Sequence, residues 1–286
     1  MKNKELVKNI ADYFEYLRSL SLEVSFCDVR LHFAPYFPAL VSYNSHVNGY
    51  CALIKSRPDL HKICIEKQHL LIGRCNRGVF YGPCWAGVEE YVFPVKSDGE
   101  VIAFISVSGY RGKYSVSRKK AAAAAENFTL DKRNAAARYE SLKENPPALN
   151  ALKPLIAPLC NMFELLFLKT NPEPDDKNYR PLKEVLKYIN DNYAWNPSLK
   201  EIAENCHYSE SYIRHIFKEK TSKSIGQYIA SLRIAKAKNL LKNTALSISE
   251  VAAEVGYGEP NYFTNVFRKE TGVSPKQYRK NARKDG

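Results

Sequence analysis

Acidic side chains are scarce relative to basic ones in this 286-residue chain, 30 Asp and Glu against 43 Lys and Arg, leaving a formal charge of +13. A surplus of that size disfavours cationic partners and favours polyanions. The chain also lacks the paired C-x₂₋₄-C spacing of structural zinc sites; its seven cysteines are scattered, the first five at intervals of 24, 13, 11 and 9. No Ser/His/Asp order, phosphate-binding glycine loop or paired-carboxylate motif is present, so an enzyme is not expected. No secretory signal is visible after Met1. The most apolar stretch, Leu152–Leu168, is interrupted by Lys153, Pro154, Pro158 and Glu164, which predicts no membrane span. The expectation is a cytoplasmic protein with free thiols.

What is present is a repeat. Phe217/Phe267, Thr221/Thr271, Ser224/Ser274, Gln227/Gln277 and Tyr228/Tyr278 pair at a spacing of fifty; Glu201/Glu250, Ala203/Ala252, Tyr208/Tyr257 and Glu210/Glu259 pair at forty-nine. One residue has been gained in the second copy's turn. A fixed period marks a repeated supersecondary unit, and each copy reads as a short amphipathic helix, a polar turn and a second helix. In the first copy Tyr212, Ile213, Ile216 and Phe217 form the inward stripe, leaving Ser211, Arg214, His215 and Lys218 outward. In the second, Tyr262, Phe263, Val266 and Phe267 point inward and Asn261, Thr264, Asn265 and Arg268 outward. Hydroxyls, amides, Arg and His are the side chains that hydrogen-bond base edges and phosphates. Ala203 and Ala252 are small where the two helices of each copy must cross. The charge agrees: residues 177–286 carry 20 basic against 11 acidic groups, the rest 23 against 19. A basic domain beside a near-balanced one is the footprint of phosphate binding; the competing reading is a helix bundle with solvated polar faces.

The run Ile225–Lys238, the segment Ser247–Ala252 through Gly256-Tyr257, and Pro260–Lys269 closing on Gly272–Arg279 together resemble the double helix-turn-helix of AraC/XylS-type transcription regulators, over about 180–283. The resemblance implies that the outward residues of both recognition helices meet double-stranded DNA, that the long helix sets their separation, and that RNA polymerase is a partner if the protein activates. His207 stands where the family has Gly, a position that His tolerates at positive φ. His215 and Asn265 stand where Arg is frequent.

The N-terminal half reads as α+β: a first helix bearing Leu6, Ile10, Phe14 and Leu17, a strand at 22–28, two helices broken near Pro58, strands at 78–81, 87–94 and 101–108 with a hairpin over 96–100, and helices through 116–168. Tyr81–Glu90 with Phe93-Pro94-Val95, and Cys51–Ile54 with Cys64, resemble the PocR-type sensory domain, a PAS-like antiparallel sheet with helices. That implies a small organic effector held near Cys51, Cys64, Tyr81, Cys84 and Trp85; Trp85 replaces the His common in the family. The aromatics Tyr36, Phe37, Tyr43, Tyr50 and Phe80 either line such a pocket or are plain core. The alternative is a metal- or redox-responsive site using Cys27, Cys51, Cys64, Cys75 and Cys84 with His46, His61 and His69. The expected organisation is a sensor over 1–169, a linker over 170–179 as the covalent path between the halves, and an all-α DNA-binding domain over 180–286 with its two motifs joined by a long helix. The helices of 116–168 offer a surface for a possible homodimer.

Overall fold

The computed structural model describes the chain except residues 1, 29–32, 34–36, 45, 113–114, 171–178, 222 and 283–286. Most of the expected linker, Tyr36 and the His69 side chain therefore lie outside the described residues. Contacts divide the chain into two compact units, 1–30 with 43–169, and 31–42 with 170–286.

The first unit is a four-stranded antiparallel sheet covered by helices on both faces. Helix α1 (Lys2–Ser19) leads into β1 (Glu23–Cys27); after α2 (Pro38–Val41), which belongs to the second unit, come α3 (Gly49–Lys55), α4 (Pro58–Cys75), β2 (Phe80–Pro83), β3 (Val88–Ser97), β4 (Glu100–Arg111), α5 (Ser115–Asn127), α6 (Lys132–Glu140) and α7 (Leu149–Thr170). Strand order is β1-β4-β3-β2. Alternation along β1 sorts the two faces: Phe26 stacks 4.7 Å from Phe163 of α7 and lies 6.3 Å from Phe14 of α1, while its neighbour Cys27 packs with Cys75, Leu71 and Ile72 of α4. The β3–β4 hairpin turns at Asp98 and Gly99, both at positive φ, the backbone that matches strand twist in a two-residue turn. Asn48 caps α3 through the Cys51 amide at 2.8 Å and holds Glu23 at 3.0 Å.

The prolines do not break α7. Leu152, Ile156, Leu159, Phe163 and Leu166 are buried, whereas Pro154 and Pro158 face outward. Each proline removes one helical hydrogen bond, a cost of about 3 kcal/mol in a helix interior, but on the open side the released carbonyls meet water. Leu149–Lys169 is consequently one continuous helix, long and apolar enough by length and composition to cross a membrane. Its buried and exposed stripes are those of an amphipathic helix packed along one side.

One ionic group lies deep in this unit. His46, with 11% of its side chain exposed, places Nε2 3.3 Å from Glu90 and 3.1 Å from the Ser106 hydroxyl, which donates to the same carboxylate. Lys55 donates to the His46 carbonyl at 3.4 Å. Burial opposes the imidazolium, but hydrogen bonds to Cys51 and Glu90 and the Glu90 charge outweigh it and raise the His46 pKa to about 9. Glu90 is desolvated as well, yet His46 holds it below its ordinary value.

The second unit is all helix. It comprises α8 (Tyr179–Asn192), a 3₁₀ turn (Tyr193–Trp195), α9 (Leu199–Cys206), α10 (Glu210–Thr221), α11 (Ile225–Asn243), α12 (Ile248–Glu254), α13 (Pro260–Thr271) and α14 (Pro275–Ala282), with α2 packed on α11. Asn239 of α11 donates to the Ser42 carbonyl. Residues 31–42 leave the first unit and return to it, so the 170–179 segment is not the sole covalent connection between the halves, contrary to the expectation from sequence.

A histidine whose pKa rises on folding contributes stability that is complete below its unfolded value near 6.5 and lost as pH climbs through about 9. Urea unfolding of the full chain should therefore show stability falling by about 3 kcal/mol between pH 6.5 and 9.5. His46→Gln should be destabilised at pH 6.5 and should lose most of that slope; an unchanged slope would show that the His46–Glu90 pair is not its source.

Candidate nucleic-acid interface

The sequence repeat is a repeat of hydrogen bonds. Ser198, Ser224 and Ser247 each close a capping box with the residue three positions on, Glu201, Gln227 and Glu250, and the Ser274 hydroxyl accepts from the Gln277 amide at 3.3 Å. Such caps satisfy otherwise orphaned amides and contribute about 1 kcal/mol each. Thr221 donates to the Phe217 carbonyl at 2.7 Å, and Thr271 to that of Phe267 at 2.8 Å. Phe217 meets Tyr228 edge-on at 5.3 Å, and Phe267 meets Tyr278 likewise at 5.5 Å. Helices α9 and α10 make the first helix-turn-helix, α12 and α13 the second, and α11 joins them. The turns run through 207–209 and 255–259, the longer one in the copy that gained a residue. His207 takes the left-handed conformation expected of it, φ 59° and ψ 38°.

Buried Ile213, Ile216 and Phe217 pack α10 on Ala203, and buried Phe263 and Phe267 pack α13 beside Ala252. That leaves Ser211, Arg214, His215 and Lys218 exposed on α10, and Asn261, Asn265 and Arg268 exposed on α13. Thr264 is half-buried and donates to the Pro260 carbonyl at 2.9 Å. Tyr262 departs from its expected place: it is 63% exposed. It stands at the third residue of α13, rotated off the Phe263–Phe267 line toward the rim, where its ring lies 5.9 Å from Tyr257. Its counterpart Tyr212 is half-buried. Periodicity cannot separate these two, because one step of 100° from the stripe lands on its border.

The exposed Arg214 and His215 side chains are lightly tethered. Arg214 sits 3.9 Å from Glu210 and His215 3.6 Å from Glu219, with side chains 68% and 77% exposed. Exposed pairs of this kind are worth at most about 1 kcal/mol, so a stronger acceptor displaces them readily.

Four of the five residues nominated for an effector gather in one cluster between α3, α4, α5, α6 and the β2–β3 turn: Cys51, Cys64, Cys84 and Trp85. The cluster draws in Val88 at the start of β3 as well as residues of the four helices. Trp85 donates to the Cys64 sulfur at 3.2 Å and meets Phe128 edge-on at 5.9 Å. The turn is pinned from beneath, with Tyr50 donating to the Ala86 carbonyl and Tyr139 to that of Gly87, each at 3.1 Å. Gly87 is required there: at φ +86° a Cβ would fall 2.3 Å from the Ser117 carbonyl oxygen. Tyr81 stands elsewhere, on the opposite face of the sheet edge, donating to Glu89 with its ring 4.5 Å from Tyr91. Burial pushes the Cys84 and Cys64 thiols up, Cys75 to about 11 and Cys160 to about 12, which keeps them protonated and poorly nucleophilic. Among the described residues no three His, Cys, Asp or Glu side chains are arranged to hold a metal ion, so the metal- or redox-sensing alternative finds no support in the geometry. The cluster has charged neighbours that no spacing in the sequence marks: the electrostatic surroundings of Cys64 and Cys84 include Glu90, and those of Cys64 include Lys55.

Comparison with known proteins bears on the C-terminal unit. A family model described as a helix-turn-helix domain matches residues 202–281. The HTH-type transcriptional activator RhaR of Cronobacter sakazakii is 40% identical over 81 residues, 28% of this chain and 29% of the relative. That of Mannheimia succiniciproducens is 28% identical over 160 residues, 49% and 58% of the two chains. The C-terminal domain of AraT, a response regulator from Geobacillus stearothermophilus, is 31% identical with a TM-score of 0.36, covering 37% of this chain and 88% of that one. The chain thus spans less than two thirds of the curated relatives it matches. The C-terminal unit carries an AraC-type helix-turn-helix domain over residues 202–281.

Proposed function

We propose that the protein is a sequence-specific, double-stranded-DNA-binding transcription regulator whose activity responds to a small organic effector held by its N-terminal unit. The observation that carries the reading is the doubled outward surface: two helices, each preceded by a serine-capped helix and each closed by the same threonine back-bond and Phe–Tyr contact, each exposing hydrogen-bonding side chains, and the two faces differing from each other. A non-specific architectural protein has no use for two different faces. Helix-turn-helix half-sites lie about 34–36 Å apart, so the contacted bases fall in two clusters. Arg214 is assigned to a base, as Arg pairs bidentately with guanine; Asn261 and Asn265 suit adenine. His215, Ser211 and Thr264 complete the two faces. Lys218 and Arg268, one turn further along, are assigned to phosphate, which makes affinity fall steeply with salt. Exposed Tyr262, at the rim of α13, adds a further contact.

For the sensory role, support comes from the assembly of Cys51, Cys64, Cys84 and Trp85 around a pinned turn, partly open at Cys64, Cys84 and Trp85. The Cys64 and Cys84 thiols, kept protonated by burial, and the aromatic edges suit an organic molecule of low charge, and the PocR-type resemblance falls on the same turn. A ligand acts only through its differential affinity for two states, so coupling on the order of 1–3 kcal/mol is expected. RNA polymerase as a partner, a homodimer through the 116–168 helices and a cytoplasmic location belong to the same proposal.

Arg214→Ala should cost about 1–3 kcal/mol on the preferred duplex and relax base preference in one half-site. Arg268→Ala should weaken all sequences alike and flatten the salt dependence by about one ion. Binding titrations on a duplex selected from random-sequence DNA and on non-specific DNA, at several salt concentrations, check both; equal effects on the two duplexes would overturn the division of roles. For sensing, a thermal-shift screen of small organic molecules on the full chain should find a stabilising compound that alters DNA affinity. Trp85→Ala should abolish that response while leaving effector-free DNA binding intact. A response that survives in Trp85→Ala would move the site elsewhere.

A further inference from the structure

The two motifs touch by more than the helix that joins them. Arg233, on α11, is 6% exposed. Its Nε and Nη2 donate to the Tyr193 carbonyl at 2.9 and 2.6 Å, and Nη2 also reaches Asn196 Oδ1 at 3.3 Å. Its guanidinium lies 5.2 Å from the centroid of the Tyr257 ring. Tyr193 opens the 3₁₀ turn ahead of the first motif and Asn196 caps it, and Tyr257 belongs to the turn of the second. One buried side chain, with two carbonyl-type acceptors and a ring face for partners, thereby fastens three elements together.

Beside it the main chains themselves meet. At Gly256, φ +88°, a Cβ would fall 2.3 Å from the Ala194 carbonyl oxygen, 2.8 Å from its carbon and 2.9 Å from its Cα. These are backbone atoms, which cannot rotate aside as a long side chain can. The second motif's turn therefore rests on the turn that precedes the first. His207, at the equivalent place in the first motif, is not a glycine, so the glycine at 256 answers to this contact and not to the turn alone. Above the contact opens a cleft of about 1140 Å³ whose walls include Arg214, Lys218 and Tyr262 of the two recognition helices.

We propose that Arg233 and Gly256, closing on the Tyr193–Asn196 turn, lock the two helix-turn-helix motifs into one rigid reading head, so that the protein accepts a single spacing between its two half-sites. Arg233 is a positioning residue, acting on DNA through the placement of α10 and α13. A single helix carrying two motifs would allow them to rock about it; a buried guanidinium fork bridging both and a backbone contact without slack remove that freedom. Lysine cannot replace the fork, since an ammonium is a point charge without the planar, multiply donating geometry. One inserted base pair moves a half-site by about 3.4 Å and turns it by about 35°, which a rigid head cannot follow. The inference rests on the DNA-binding reading above.

The test uses the full chain and a duplex selected from random-sequence DNA, together with versions bearing one base pair more or fewer between the half-sites and one with a single half-site. The wild type should bind the altered spacings at least tenfold more weakly. Arg233→Lys and Gly256→Ala should bind the selected duplex more weakly and lose discrimination, the spacing penalty shrinking to threefold or less, with single-half-site affinity unchanged. If either variant keeps the wild-type penalty while folded, as judged by circular dichroism, or if the wild type tolerates all spacings, the proposal is overturned. A second measurement needs no DNA. Amide hydrogen exchange of Arg233→Lys should quicken in residues 193–197 and 255–259 while 201–206 and 263–267 stay protected. Uniform exchange across these segments would overturn the lock, whereas faster turns without any specific DNA binding would sink the DNA-binding reading and leave the lock standing.

Discussion

The close crossing within each helix-turn-helix is the constraint on which the C-terminal unit depends. Ala203 and Ala252 are both buried, and their small side chains let α10 lie on α9 and α13 on α12. Close approach brings Ile213, Ile216 and Phe217 into one core with Ile202, Cys206 and the α8 residues Leu182, Val185, Leu186 and Ile189. That burial fixes the rotation of the recognition helix, and the rotation decides which side chains face outward. Chemistry at the surface is thus set by packing beneath it: a larger residue at either alanine would displace the helix and re-aim every outward group.

The two units handle polar groups differently. In the C-terminal unit the polar work is local and repeated, with capping serines, threonines returning to their own helices, and one buried arginine spanning elements. In the N-terminal unit an ionised pair sits between helix and sheet, where the low dielectric makes its partners matter more than its position in sequence. Glu89 and Glu90, neighbours on β3, serve opposite faces. Glu89 accepts from Tyr81 and, at 2.5 Å, from Ser117, while Glu90 faces His46 and Ser106.

Much of the fold was legible in the sequence because its signals are periodic or punctuating. A hairpin at Asp98-Gly99, a helix break at Pro58 and the fifty-residue register follow from steric rules that act within a few residues. Their structural counterparts stand where those rules put them. Pro154 and Pro158 were misjudged as interruptions because a proline's cost depends on which face of the helix it occupies, and that is set by what packs on the other side. Tyr262 was misplaced for a related reason, since a residue at the border of a stripe is assigned by its neighbours and not by its spacing.

The sequence by itself determined which side chains of α10 and α13 face outward at Ser211, Arg214, His215, Lys218, Asn261, Asn265 and Arg268, the left-handed turn at His207 and the α+β character of the N-terminal half, since each depends on backbone geometry or on the 3.6- and 2-residue periods. Tertiary structure alone decided that Cys51, Cys64, Cys84 and Trp85 share a cluster while Tyr81 does not, that His46 meets Glu90, and that residues 31–42 join the second unit. It alone also decided that Arg233 and Gly256 bring the two motifs against each other. Each of these pairings joins residues distant along the chain, and no local preference encodes which distant surface a buried charge or a bare glycine will meet.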